Sequence, residues 1–284
     1  MLYNAALVLE GGAFRGQYTA GVCDTFLAHH IEFKSVIGVS AGSLNGVNFV
    51  AKQYGRAANI NINHRHDHEY ISMARIFKRK FINMDFLFED HGWSWQNFDE
   101  RAYIRSASHF TAVATKLIDG KRVLFTDYTG KDLKNALIAS CSMPFMMDPA
   151  PTTAGLCLDG GIADSIAYDV AQEQGFDKII VVRTQNVTYR KKPTGRGVRE
   201  LYHRYFKDYP EFAEVGIRRP EVYNQQIAQI QHLEKIGQVF NIAPKEPVKV
   251  SRVEGNVKKI RQLYQTGRTE AEAILPDLLS YLNK

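Results

Sequence analysis

An α/β fold with a mainly parallel central sheet and a mainly helical C-terminal extension is predicted by three observations. Short apolar runs alternate with helically periodic segments over the first 50 residues, the order that builds a parallel sheet. Gly38-Val39-Ser40-Ala41-Gly42 joins an apolar run to a helical segment with no loop between them. Beyond residue 197 the apolar residues recur mostly at helical spacing.

The elements follow in chain order. Residues 5–9 are apolar and end in Glu10-Gly11-Gly12, as a buried strand entering a turn does. After Gly16, Tyr18, Val22 and Phe26 recur every four residues, which predicts an amphipathic helix. Residues 35–39 form a second apolar strand, and Leu44, Val47 and Val50 mark the helix after it. Residues 54–105 are rich in Asn, His, Arg and aromatics without a long regular pattern, and are expected to form an irregular or helical insertion covering one end of the sheet. Residues 110–116 and 122–126 flank Ile118-Asp119-Gly120-Lys121 as the arms of a hairpin or meander. A helix is expected over 132–140, ending before Pro144, and a strand over 156–158. A helix over 165–174 with Gly175 just past its end, then a strand over 178–182, complete this part. Residues 189–197 break the pattern. Beyond them Tyr223, Ile227, Ile230 and Leu233 form one helical stripe, Val257, Ile260 and Tyr264 a second, and Ile274, Leu278 and Leu282 a third. Residues 239–242 before Ala243-Pro244 add one candidate strand. The expected division is a core domain over 5–188, with 54–105 as its insertion or cap, and an extension over 189–284 packed on it.

Composition narrows the function. At 284 residues, 45% hydrophobic and 23% charged, the chain is an ordinary globular sequence and not a disordered one. No apolar run approaches the roughly 18 to 20 residues that span a bilayer. Residues 1–10 lack a basic segment followed by a long apolar one, so no secretory signal is read there. Cys23, Cys141 and Cys157 are odd in number and far apart, which fits a reducing compartment. A cytoplasmic location is expected. The net charge of +6 is uneven: residues 1–189 carry 18 Lys and Arg against 19 Asp and Glu, residues 190–284 carry 18 against 11. The basic third is either a set of solvated helix faces or a peripheral contact for an anionic membrane. Nucleic acid is not an expected partner.

Three short blocks carry the chemistry. A Gly-x-Ser-x-Gly segment between strand and helix lifts a serine Oγ out of the sheet, and only small flanking residues fit so sharp a turn. Ser40 is therefore the candidate nucleophile. Glu10-Gly11-Gly12-Ala13-Phe14-Arg15-Gly16 is a tight turn at a helix start, where backbone N–H groups can face a developing oxyanion. It fits a dinucleotide loop poorly, because Ala13 occupies the second glycine position and Glu32 precedes the second strand instead of ending it. No Gly-Lys-Ser/Thr follows, so it is no Walker loop either. Asp159-Gly160-Gly161 ends an apolar run, and would put a carboxylate at the sheet edge that holds Ser40 if the two strands are parallel. Asp127, Asp148 and Asp164 lack that combination. Only His203 and His232 follow Asp159, both inside helical segments, so a Ser-Asp dyad fits better than a triad. His64, His66 and His68 alternate around Asp67 in a stretch that reads as a loop, and no metal site is expected. Phe81, Met84, Phe86, Leu87, Phe88, Trp93 and Trp95 form either a buried cap, an acyl pocket or a bilayer contact.

In their order, the residues 10–16 block, the residues 38–42 block and Asp159-Gly160-Gly161 resemble the three signature blocks of patatin-like phospholipases. Ala139-Ser140-Cys141-Ser142-Met143-Pro144 is similar to that family's Ala-Ser-x-x-x-Pro segment. The resemblance covers roughly residues 5–185, and the region from Tyr189 onward, including residues 237–244, is similar to the C-terminal extension of a bacterial subgroup. It implies a three-layer sandwich and a serine hydrolase of lipid esters acting through an acyl-enzyme. Ser40 and Asp159 would be catalytic, and Gly11, Gly12 and Ala13 the oxyanion donors. Phe14, Arg15, Gly16, Gly38, Gly42, Gly160 and Gly161 would support them. No metal or cofactor is implied. Arg15 would steady the loop or meet an anionic head group. Two residues depart from the family pattern: Ala13 stands for a third glycine and Ala167 for a frequent proline. A non-catalytic lipid-binding protein on the same fold is the alternative reading.

Overall fold

The computed structural model describes residues 1–72, 81–89 and 96–283. Among them, eight strands form one sheet. β1 (Leu2–Leu9) lies between β2 (Glu32–Val39) and β7 (Ile179–Val182), and β7 pairs with β8 (Val239–Ile242), all parallel. β3 (His109–Lys116) runs parallel to β2 and forms the expected hairpin with β4 (Arg122–Thr126). β5 (Ala150–Thr152) and β6 (Gly155–Asp159) add an antiparallel end, giving the order β5-β6-β3-β2-β1-β7-β8 with β4 on the far edge of β3.

The continuous apolar runs arise because both faces of the sheet are covered. Along β1 and β7, Leu7, Leu9, Ile180 and Val182 enter one core, while Ala6, Val8, Ile179 and Val181 enter the other. The first core receives α1 (Gly16–Ala28), α2 (Ala41–Val50), α5 (Gly130–Cys141) and α9 (Val257–Asn283) through residues such as Tyr18, Val47, Leu137 and Leu278. The second receives α6 (Tyr168–Glu173) and α8 (Pro210–Lys235) through Val170, Tyr223, Ile227 and Ile230. This is the three-layer α/β sandwich, with its helical C-terminal region in place. α6 is shorter than the 165–174 expected, because Gly160–Ile162 forms a 3-10 turn and the Asp164 carboxylate caps the Ile166 N–H at 3.2 Å.

The C-terminal third completes the core it was expected to pack on. β8 extends the sheet, and α9 crosses α1 at a pair of glycines with no room for side chains. A Cβ on Gly21 would sit 2.3 Å from the Tyr264 carbonyl oxygen, and one on Gly267 2.2 Å from that of Tyr18. Tyr264 donates to Asp24 at 2.8 Å and Tyr18 to Glu270 at 2.9 Å across the same crossing. α7 (Arg196–Tyr205) packs with the start of α8 in a smaller aromatic cluster of Tyr202, Phe206 and Phe212.

Within 54–105 the chain is irregular around α3 (Arg56–Asn63), a 3-10 turn over Asp85–Leu87 and α4 (Glu100–Ile104). Phe81, Met84, Phe86 and Leu87 are buried there, and Phe88 packs half-buried against them. Trp93 and Trp95 lie outside the described residues. No helix among the described residues is long and apolar enough to cross a membrane.

Candidate active site

Ser40 occupies the junction of β2 and α2 with φ 55° and ψ −123°, a conformation unusual for an L-residue. The flanking glycines make that turn possible. A Cβ on Gly38 would meet the Ser43 Cα at 2.5 Å, and one on Gly42 the Leu9 carbonyl oxygen at 2.2 Å. The Ser40 N–H donates to Ser140 Oγ at 2.9 Å, and Ser140 Oγ donates onward to the Val113 carbonyl at 2.6 Å. Ser43 Oγ donates to the Ser40 carbonyl at 2.6 Å. The strained serine is thus held at both its N–H and its carbonyl.

Asp159 reaches Ser40 by a route the sequence did not suggest. β6 runs antiparallel to β3, hence opposite to β2, so the two strands are not parallel as the shared-edge expectation required. β2 pairs with β3 up to Val39 opposite Val113, and β6 takes over at Asp159 opposite Ala114. β4 overlaps both stretches of β3, so β2 and β6 lie on one edge and meet end to end. Ser40 Oγ donates to Asp159 Oδ2 at 2.7 Å, with the two residues 7% and 5% exposed. The Gly161 N–H holds Asp159 Oδ1 at 2.8 Å, and Thr115 Oγ1 donates to the Asp159 carbonyl at 2.9 Å. Gly160 lies under Val113, whose carbonyl oxygen would be 2.2 Å from a Cβ.

The glycine-rich loop passes beside this pair. Ala13 has φ 50°, a left-handed value. Of the three expected oxyanion donors, Gly11 is already engaged, its N–H bonded to the Ser165 carbonyl at 3.3 Å. The N–H groups of Gly12 and Ala13 have no partner among the described residues. That leaves two of the three expected N–H groups without an internal acceptor among the described residues. Arg15 steadies the loop, donating from its N–H and Nε to the Gly12 carbonyl at 3.1 and 3.3 Å. Asn45 Nδ2 donates to the Gly16 carbonyl at 2.9 Å and ties the loop to α2, while Phe14 is buried below.

Two cavities meet at Ala13, Ser40 and Met143. One, of about 430 Å³, also holds Asp159 and is roofed by residues from 189 onward, among them Tyr202, Arg219 and Tyr223. The other, of about 60 Å³, is an apolar crevice between Phe14, Leu44, Tyr70 and Met84. Of Phe81, Met84, Phe86, Leu87 and Phe88, the described part of the apolar cluster, Met84 lines this crevice and the rest pack elsewhere in the core. His203 pairs with Glu214 Oε1 at 2.8 Å on the exposed surface, and neither it nor His232 lines the larger cavity. No group of three or more His, Cys, Asp or Glu able to hold a metal occurs among the described residues.

The sequence missed Thr115 and Ser140 as supports of the pair. Ser140 stood inside the family-like 139–144 segment; Thr115 carried no signal beyond its place in a strand. Lys191, Arg219 and Arg252 in the larger cavity were also missed, because the sequence shows their charge and not their direction.

A parallel-cored α/β sandwich with a serine on a strand-to-helix turn, facing an aspartate from a second strand, defines the class. The chain belongs to the patatin-like phospholipase family, whose model matches residues 7–171. A second family model, described as a domain of unknown function (DUF6363), matches residues 209–283. The uncharacterized protein YjjU of Escherichia coli (strain K12) is 30% identical over 184 residues, 63% of this chain and 51% of that protein. The chain thus spans about half the length of that relative. The probable lipid hydrolase 463L of Invertebrate iridescent virus 6 is 23% identical over 222 residues, covering 66% of this chain and 73% of the viral one. VipD from Legionella pneumophila aligns with 97% of this chain and 67% of its own at a TM-score of 0.49 and 10% identity.

Proposed function

We propose that this chain is a serine lipid-acyl hydrolase that cleaves carboxylic esters of lipids through a Ser40–Asp159 dyad. The observation that carries the proposal is the 2.7 Å hydrogen bond from Ser40 Oγ to Asp159 Oδ2 at a strained turn. Ser40 Oγ attacks the ester carbonyl while its proton passes to Asp159. The tetrahedral oxyanion is received by the N–H groups of Gly12 and Ala13. Asp159 then protonates the departing alcohol, leaving an acyl-Ser40. Water, deprotonated by Asp159, attacks the acyl carbon and releases the fatty acid with Ser40 restored. Carboxylates are weak bases, so the loop donors carry much of the barrier lowering; one such donor is worth roughly 10²- to 10³-fold in other enzymes. The step uses no metal or cofactor. The lipid ester is the partner, reached from the cytoplasm, with the basic C-terminal third against an anionic membrane face.

The test is labelling by a fluorophosphonate together with turnover of a p-nitrophenyl ester. Wild type is labelled and turns over; Ser40→Ala loses both with its fold unchanged. Asp159→Asn falls by about 10³-fold or more, because residues acting as a unit fail together. His203→Ala and His232→Ala keep most activity. Labelling that persists in Ser40→Ala refutes the nucleophile, and a collapse in either histidine variant restores a triad.

A further inference from the structure

Among the described residues, the larger cavity gathers more cations than acids. Arg15, Lys191, Arg219 and Arg252 all line it beside Ser40 and Asp159, and three of the four come from the C-terminal third. Among the described residues none of the four forms a salt bridge. Among the described residues the wall's acids are Glu10 and Asp159, fewer than its cations, and both already accept hydrogen bonds. A Glu10 carboxylate oxygen accepts the Thr184 N–H, and both Asp159 oxygens have donors.

The four lie close enough to act on one another. Arg219 crosses the aspartate turn, where a Cβ on Gly161 would be 3.0 Å from its Nη2, and its Nε is buried without a partner among the described residues. The Lys191 ammonium lies 3.7 Å from the centre of the Tyr223 ring and 3.2 Å from Ser165 Oγ. Burial first, then the charge of Arg219, pushes the Lys191 ammonium well below the ordinary lysine range. Burial and then Arg252 lower both Arg15 and Arg219. Like charges crowded together, Arg252 from the exposed rim and the other three from largely buried positions, are costly alone and favourable around a bound anion. Across Ser40 the smaller crevice is apolar. An ester at Ser40 would therefore lie with its acyl chain in the crevice and its alcohol part among the cations.

We propose that this chamber is a phosphate subsite that makes the enzyme select phospholipids with net-anionic, amine-free heads. The proposal rests on Ser40 as the nucleophile. Phosphate offers oxygens to several guanidinium and ammonium donors at once. A head-group amine would enter the same field with no free carboxylate to receive it. The selection is local to the cavity, and differs from attraction of the whole basic surface to a membrane.

Soluble dihexanoyl lipids below their micelle concentration remove any surface charge from the measurement. Phosphatidic acid is expected to exceed phosphatidylcholine in kcat/KM by about tenfold or more, mainly through KM. Arg252 is exposed, so Arg252→Gln tests the chamber at little risk to the fold, checked by thermal melting. It is expected to reduce the preference several-fold, and Arg252→Lys to restore most of it. Calorimetry on Ser40→Ala protein with the same lipids, and with inorganic phosphate alone, reads binding without turnover. Equal kcat/KM and equal binding for the two lipids overturn the proposal. So does tight binding of inorganic phosphate with no preference between lipids, which would make the chamber a site for free phosphate. Fluorophosphonate labelling is scored apart: an unlabelled wild type sinks the nucleophile, while calorimetry still decides the chamber.

Discussion

Replacing Ala13 by glycine should stabilise the protein while leaving its chemistry in place. Ala13 sits at φ 50°, where its Cβ crowds the backbone. The left-handed conformation costs an alanine about 1–2 kcal/mol. Glycine escapes that cost but surrenders about 0.5–1 kcal/mol more chain entropy on folding. The difference is a gain of about 0.5–1 kcal/mol, or roughly 1–3 °C in Tm for a chain of this size. The lost methyl faces the two cavities and is not a core methyl, so no packed void should offset the gain. His30→Gly is the control. It too has positive φ, at 53°, on the exposed chain just past α1, and its gain should be similar. Urea and thermal unfolding measure both variants. Turnover of a p-nitrophenyl ester by Ala13→Gly should stay within about threefold of wild type, since the backbone donor is retained. A Ala13→Gly protein that is less stable than wild type, beside a stabilised His30→Gly, would refute the reasoning: the methyl would then be worth more than the strain.

Three further outcomes are expected. Gly267→Ala should cost about 3 kcal/mol or more in urea unfolding, because its Cβ must enter the 2.2 Å gap to the Tyr18 carbonyl; Gly197→Ala, in open space on α7, should cost nothing. Tyr264→Phe should cost about 1–3 kcal/mol by removing a donor from the buried Asp24 carboxylate. Burial raises the Asp24 pKa, so stability linked to this group is present at low pH and lost as pH rises through the folded value; the deficit of Tyr264→Phe should be larger at about pH 7 than at about pH 4. Binding to anionic vesicles should exceed binding to neutral ones and weaken with salt, as screening over about 8 Å requires, while soluble-ester turnover barely responds. Equal binding to both vesicles at low salt would leave the basic third as a solvated surface.

The parts of the fold that were legible are those written locally. β1, β2 and the turn at Ser40 follow from apolar runs that meet glycines, and the residues 110–126 hairpin from two such runs around Asp119-Gly120. What decides position at long range was not legible. The direction of β6 depends on which edge of β3 is free, and Leu156-Cys157-Leu158 reads the same in either direction. Gly11 looked as free as Gly12 until the Ser165 carbonyl, 154 positions away, was placed against it. The stripe on α9 predicted a helix correctly, but only the Gly21–Gly267 crossing shows that the helix belongs to the core. Likewise the charge surplus of residues 190–284 was countable, yet nothing in the count pointed Lys191, Arg219 and Arg252 inward.

The end-to-end meeting of β2 and β6 on one edge of β3 makes the Ser40–Asp159 contact a gauge of sheet alignment. β3 contributes neither Ser40 nor Asp159, yet its rungs at Val113 and Ala114 set the spacing between them. A slip of β6 by one rung would carry the carboxylate about 3.3 Å along the edge and turn it to the opposite face. Between these settings no intermediate register exists, so misaligned chains would be silent, not slow. The fraction of molecules that take up a fluorophosphonate during refolding would then count those whose β3 edge has been filled correctly, while far-ultraviolet circular dichroism would count helices whether or not it had.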